Sequence, residues 1–342
     1  MAMDEMTRTA TSAPGRPGHR PGRPARGGAV RARGQHEWAV AGLAVLATGA
    51  VLALRRRARP QPKPAGPPSV TLRVAQALNR SAALLGLAVL ADSAVEHYRG
   101  SFHNPAMFTP LAVSSAVIGV SLFGALDNRP RAHAARGITY GGAILTGMAG
   151  TGFHLFNVTK RPGGLSWLNL FYGAPIGAPS AIALAGLLGF FAERVRHTRP
   201  GEAPRVLGVP GPDALAALVS LGILGTVAET GLLHFRGAFH DPAMYLPMVV
   251  PPVGAALLAG TVLSGTGRPT TAARWGLRAT AGLGFLGVGF HAFGIHRNMG
   301  GWRNWSQNIL NGPPLPAPPS YTALALAGLA TLSLEEDRRH AQ

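Results

Sequence analysis

The sequence predicts an all-α, polytopic integral membrane helix bundle made by tandem duplication of a four-helix unit. Three observations carry that prediction. Of 342 residues, 47% are apolar and only 13% are charged, a balance outside that of ordinary soluble domains. Apolar runs recur along the chain, each near the ~20 residues that cross a ~30 Å hydrocarbon layer. A motif of 14 residues, HYRGSFHNPAMFTP at 97–110, returns 137 residues later as HFRGAFHDPAMYLP at 234–247.

Taken in order, residues 1–36 mix Arg with Pro and Gly, offer no apolar period, and read as a disordered basic tail. Of the net charge of +18, +11 lies in the first 80 residues, which hold 14 Lys and Arg against 3 acids. That concentration argues against a specific nucleic-acid surface in the bundle. Residues 37–75 contain an apolar stretch, 38–54, and a basic linker. The first repeat, 76–198, carries spans at 76–96, 106–126, 137–158 and 175–192. The second, 209–337, carries spans at 213–233, 243–263, 276–295 and 318–334. With 38–54 this makes about eight to nine transmembrane helices.

The Arg-rich stretches 55–57, 129–136, 194–205, 268–278 and 338–339 fall on one side of the zigzag. The positive-inside rule assigns that side, with the C-terminus, to the cytoplasm of a bacterial-type plasma membrane. If 38–54 spanned fully, the seven Arg of the tail would lie outside against the same rule, so that segment is expected to be interfacial or signal-like.

The duplication extends beyond the motif. The same offset places Asp92 on Glu229 and Gly152-Phe153-His154 on Gly289-Phe290-His291. After a two-residue insertion, Asn169, Gly173, Pro175, Ala178 and Pro179 correspond to Asn308, Gly312, Pro314, Ala317 and Pro318. Four spans per unit leave both copies in the same orientation, related by a pseudo-two-fold along the membrane normal.

Part of the motif is local geometry. Gly100 and Gly237 sit where a helix ends on a left-handed residue, and Asn104-Pro105 and Asp241-Pro242 read as N-cap followed by Pro at the first helical position. Gly152, Gly284, Gly287 and Gly289 are expected to permit close helix packing. Geometry does not require the histidines. By depth, His97, His103 and His154 share one outward layer with His234, His240 and His291, six of the twelve histidines in the chain. Imidazoles gathered from two helices and a connector suit Fe, Cu or Zn, or the two axial positions of a b-type haem. The chain has no Cys, which rules out disulfides, thiolate zinc sites, cysteine-ligated iron–sulfur clusters and covalently attached haem.

Asp92 and Arg99, seven residues apart on a helix, lie nearly on one face, and Glu229 and Arg236 repeat the relation. An ion pair, or a role behind the histidines, is therefore expected of these four residues rather than direct ligation. Glu96, replaced by Leu233 in the second repeat, is expected to face water. The second outward loops, rich in Gly, Pro and Trp, are candidates to cover the histidine layer, with Trp167, Trp302 and Trp305 in an interfacial belt. Met107 and Met244 are read as packing residues, with thioether ligation of copper as the alternative.

These features lead to an outward histidine layer binding a divalent metal or b-type haem. The protein would then be the membrane subunit of a redox complex or a metal-handling protein, with the lipid bilayer and a periplasmic or membrane oxidoreductase as partners. Two other classes stay open: a small-solute or ion transporter, and a structural membrane protein without cofactor.

Overall fold

The computed structural model describes residues 69–198, 202–264 and 270–340. The expected tail over 1–36 and the stretch 38–54 lie outside these residues. The first helix, α1 (Val70–Arg99), begins six residues before the expected 76, because Ser69 supplies an N-cap whose hydroxyl accepts from the Leu72 N–H at 3.2 Å. A 3-10 turn (Pro105–Phe108) leads into α2 (Thr109–Leu126), followed by α3 (Ala134–Thr159), a short α4 (Trp167–Tyr172) and α5 (Gly177–Arg196). A two-residue hairpin, β1 (Arg205–Val206) with β2 (Val209–Pro210), connects to α6 (Gly211–Arg236). A second 3-10 turn (Pro242–Tyr245) then opens α7 (Leu246–Val262), α8 (Thr270–Arg297), a short α9 (Trp305–Asn311) and α10 (Pro319–His340).

Among the described residues, five helical segments are long and apolar enough to cross a membrane: Val70–Arg99, Pro105–Leu126, Gly177–Arg196, Gly211–Arg236 and Pro242–Val262. The protein is an all-α membrane protein. Helices α3, α8 and α10, at 26, 28 and 22 residues, also exceed ~30 Å at 1.5 Å per residue. They are more polar, opening on Arg136 or Arg274 or closing on Glu335 and Glu336. Their exposed faces differ: α3 presents Ile138, Leu145 and Met148, and α8 presents Trp275, Phe285 and Leu286, all exposed.

Helix α10 packs against α1, α6 and α8, while α1 also packs on α2 and α5. These contacts place α1, α5, α6 and α10 in the middle of the bundle and build one apolar core, with Leu78, Leu85, Leu188, Leu215, Ile223 and Leu324 fully buried. The expected glycine packing holds at some positions only. A Cβ on Gly147 would fall 2.7 Å from the Pro179 carbonyl oxygen, and one on Gly284 would fall 2.9 Å from that of Pro318, so α3 meets α5 and α8 meets α10 backbone to backbone. Gly152 and Gly289 face open space and serve no such contact.

At the end of the bundle opposite the histidines, two of the arginines counted as basic-loop charges are buried. Arg136 and Arg196 are each 1% exposed. Arg136 reaches Asp127 at 3.0 Å and Glu193 at 2.8 Å. Arg196 donates to the carbonyls of Gly124 at 2.6 Å and Asp127 at 2.7 Å, satisfying the end of α2. Glu193 also accepts from the His133 N–H at 2.9 Å, and Gln76 of α1 donates to Asn128 at 2.9 Å. The second half builds a more exposed counterpart, in which Arg338 reaches Asp213 at 2.9 Å and Arg339 reaches Glu335 at 2.7 Å.

Burial alone would raise the Asp127 carboxyl, but hydrogen bonds from Arg129 and Arg136 outweigh it and hold it below the ordinary 3.8. A group depressed in the folded state adds stability that is present above its unfolded value and lost as pH falls through the folded one. Thermal unfolding in detergent should therefore lose stability below about pH 4, a loss that shrinks in Asp127→Asn. That variant should also be weaker at neutral pH by about 3–5 kcal/mol, the cost of orphaning a buried charge. Equal acid sensitivity in both proteins would remove Asp127 from this role.

Candidate functional site

The two motif connectors adopt the same backbone. Gly100 closes α1 at φ −79° and Gly237 closes α6 at φ −80°, so neither glycine is the left-handed residue the sequence led one to expect. That conformation falls one and two residues later, at Ser101 (φ 57°) and Phe102 (φ 44°), and at Ala238 (φ 57°) and Phe239 (φ 46°). Side chains other than glycine take it at some cost. What offsets the cost is aromatic packing. Phe102 stacks on Phe108 with centroids 4.5 Å apart and meets the edge of His97, and Phe239 does the same with Tyr245 at 4.6 Å and His234. Asn104 and Asp241 cap the 3-10 turns, each accepting from a backbone N–H at 2.9 Å, as their sequence predicts.

All six matched histidines are engaged in one way. The Nδ1 of His97 bonds the Met107 carbonyl at 2.7 Å, and that of His234 the Met244 carbonyl at 2.8 Å. His103 and His240 bond the carbonyls of Gly100 and Gly237 at 3.0 and 2.9 Å. His154 reaches the Pro175 carbonyl at 2.5 Å, and His291 the Pro314 carbonyl at 2.7 Å. A carbonyl only accepts, so Nδ1 carries a proton in each ring, and in the neutral imidazole Nε2 is the atom with the lone pair. His97, His154, His234 and His291 are half-buried, whereas His103 and His240 are exposed. His97 lies within electrostatic reach of both His154 and His103, and His234 within reach of His291. Among the described residues, no group of three or more His, Asp or Glu is arranged to hold a metal ion.

The carboxylates behave differently from expectation. Arg99 pairs with Glu96 at 2.7 Å rather than with Asp92, and Glu96 keeps 39% of its side chain exposed, as expected of a residue that faces water. In the second half Leu233 stands at the Glu96 position, and Arg236 lies instead over the Phe171 ring, 5.2 Å from its centroid. Glu229 reaches across to the other half: a Cβ on Gly177, the first residue of α5, would fall 2.8 Å from its Cδ. Beside it is a cavity of about 40 Å³ lined by Leu170, Pro175, Glu229, Leu233 and Arg236, room for a water or a small ion.

Several partners were not legible. Met107 and Met244 contribute backbone oxygens to His97 and His234, while their methyl groups come within 3.4 and 3.0 Å of where a Cβ on Gly100 or Gly237 would lie. The loops after α3 and α8 are each laced by one amide: Asn169 donates to Pro162 and Gly164 at 3.0 and 2.8 Å, and Asn308 to Met299 and Gly301 at 3.2 and 2.8 Å. The repeat alignment had paired Asn169 with Asn308 and Pro175 with Pro314, and that pairing was the available signal for these roles.

Against protein-family models, curated proteins and solved structures, the chain has no match.

The connector geometry inverts the expected substitutions. Gly237→Ala should cost under about 1 kcal/mol, since φ −80° is open to any residue and the Met244 methyl can shift. Ala238→Gly should be neutral or stabilising by up to about 1 kcal/mol, because it relieves a left-handed residue. Thermal unfolding of both variants checks this, and a large loss in Gly237→Ala alone would restore the glycine as the strained position.

Proposed function

We propose that the protein is a tandem duplication of a four-helix unit, with eight described spans and 38–54 as a further candidate. In this reading the Arg136–Glu193 end faces the cytoplasm and the histidine end faces outward. The histidine layer holds a divalent metal (Fe, Cu or Zn) or a b-type haem, and the chain serves as the membrane subunit of a redox complex or as a metal-handling protein. A periplasmic or membrane oxidoreductase is the partner. The observation that carries this reading is the shared tautomer: six matched imidazoles each commit Nδ1–H to a backbone carbonyl, the arrangement by which ligating histidines are oriented and made more basic at Nε2. The interior pairs His97 with His154 and His234 with His291 supply two protein ligands per half, with water, substrate or a macrocycle completing the coordination.

Transport is the second reading, favoured by one observation: Glu229 reaches from one half to the Gly177 backbone of the other, beside a small cavity, and intramembrane carboxylates at repeat interfaces mark ion pathways.

The test is the metal content, per mole, of full-length protein purified without chelators or affinity metals, with an optical spectrum separating haem from non-haem iron. Stoichiometric Fe, Cu or Zn is expected, falling in His154→Asn and His291→Asn, which retain an amide donor for the carbonyl. Metal-free wild type, with solute flux that Asp92→Asn abolishes, would replace the cofactor reading with transport.

A further inference from the structure

We infer that the histidine end of the bundle binds the phosphodiester headgroups of anionic phospholipids through a band of cations seated beside aromatic rings. The inference rests on the membrane disposition of the helices and is independent of any cofactor on the histidines.

Two cations occupy matched positions at the ends of α3 and α8. The Lys160 ammonium lies 5.8 Å from the Phe156 ring centroid, and the Arg297 guanidinium lies 5.8 Å from that of Phe293. The rings are themselves 58% and 59% exposed, which places them on the outer surface of the bundle. Arg236 over Phe171 adds a third such pair. Trp167, Trp302 and Trp305, all exposed in the same loops, mark this level as the headgroup layer, where indole rings concentrate.

The loops that follow α3 and α8 carry charge of one sign. Segments 157–176 and 294–318 contain Lys160, Arg161, Arg297 and Arg303 and no Asp or Glu. Of the acids nearest the histidine connectors, Glu96 is taken by Arg99, and Asp241 is spent on the Ala243 N–H. A ring face attracts a cation without accepting its N–H donors in line, so Lys160 and Arg297 keep those donors for an anion while the ring fixes their height. Phosphate oxygens at the headgroup level have the charge and the acceptor geometry to fill that role.

The experiment is thermal unfolding of the full chain in uncharged detergent, titrated separately with phosphatidylglycerol, phosphatidylcholine and inorganic phosphate. Only a ligand that prefers the folded bundle raises the midpoint, so lipid held equally by the basic tail in folded and unfolded chains does not register. Phosphatidylglycerol is expected to raise the midpoint, with no comparable rise from phosphatidylcholine or free phosphate. Lys160→Gln with Arg297→Gln should weaken the lipid dependence about 25-fold, at about fivefold per cation. Lys160→Arg with Arg297→Lys should retain it, as should Arg23→Gln with Arg26→Gln, which removes equal charge from the tail. Equal response to phosphatidylcholine or to free phosphate overturns the inference, as does an undiminished phosphatidylglycerol response in the glutamine pair. Should the glutamine pair not fold, the wild-type response at about 1 M salt decides: with the Debye length cut to ~3 Å, its persistence overturns the proposal and its loss supports it.

Discussion

A helix that ends at the edge of hydrocarbon leaves carbonyls that water does not reach, and this constraint organises the histidine end of the bundle. Each connector after α1 and α6 turns through only five residues before a new 3-10 helix begins. In that space the chain cannot satisfy itself with backbone bonds alone. His103 and His240 cover the carbonyls of the capping glycines, and His97 and His234 tie the helix they end to the turn that follows. His154 and His291 do the same between a long helix and the proline loop behind it. Every one of these bonds engages Nδ1, so a single structural demand sets the tautomer of six rings and leaves Nε2 facing away from the backbone.

The opposite end meets the same constraint with charge. Arg196 caps the carbonyls that close α2, and Asp127 and Glu193 then neutralise it and Arg136. Burying these ions is costly unless all are paired, and their mutual arrangement fixes α2, α3 and α5 in register at one point. Tyr140, fully buried, extends the polar chain inward by donating to Asn79 and meeting Ser121 at 3.0 Å, which draws α1 into the same assembly. The first half is thus locked by buried charge. The second half uses partly buried pairs such as Arg274 with Glu336, so the two halves differ at this face.

The helices were legible because their signals were local and strong. The eight apolar runs from 76 to 334 correspond to α1, the turn-plus-helix pairs, α3, α5, α6, α8 and α10, with shifts of a few residues where Ser69 or Pro319 sets an end. The Asn104 and Asp241 caps were legible for the same reason. The glycines were not, because composition says that a turn needs positive φ without saying which residue supplies it; aromatic stacking let Phe102 and Phe239 take the strained position. The arginines misled in a similar way. A count of basic residues does not distinguish Arg131, exposed in its loop, from Arg136 and Arg196, buried around Glu193, which lies 57 residues from Arg136 in sequence. The partners of His154 and His291 are main-chain oxygens, invisible to any reading of side-chain types, and only the pairing of Pro175 with Pro314 hinted at them.

The two halves of the chain repeat some contacts and not others. Where Glu96 holds Arg99, Leu233 frees Arg236 to lie over Phe171 of the other half. Where Glu229 sits against the Gly177 backbone, the residue aligned with Gly177 is Pro316, which has no N–H to offer Asp92. The imidazole contacts are therefore the same in both halves, whereas Glu229 sits on the neighbouring half by a contact that Pro316 does not offer to Asp92. The connectors repeat their backbone almost to the degree, since each is closed within its own half. A residue that meets a different partner across the interface between the halves has no such reason to repeat, and Glu229 is where this bundle departs.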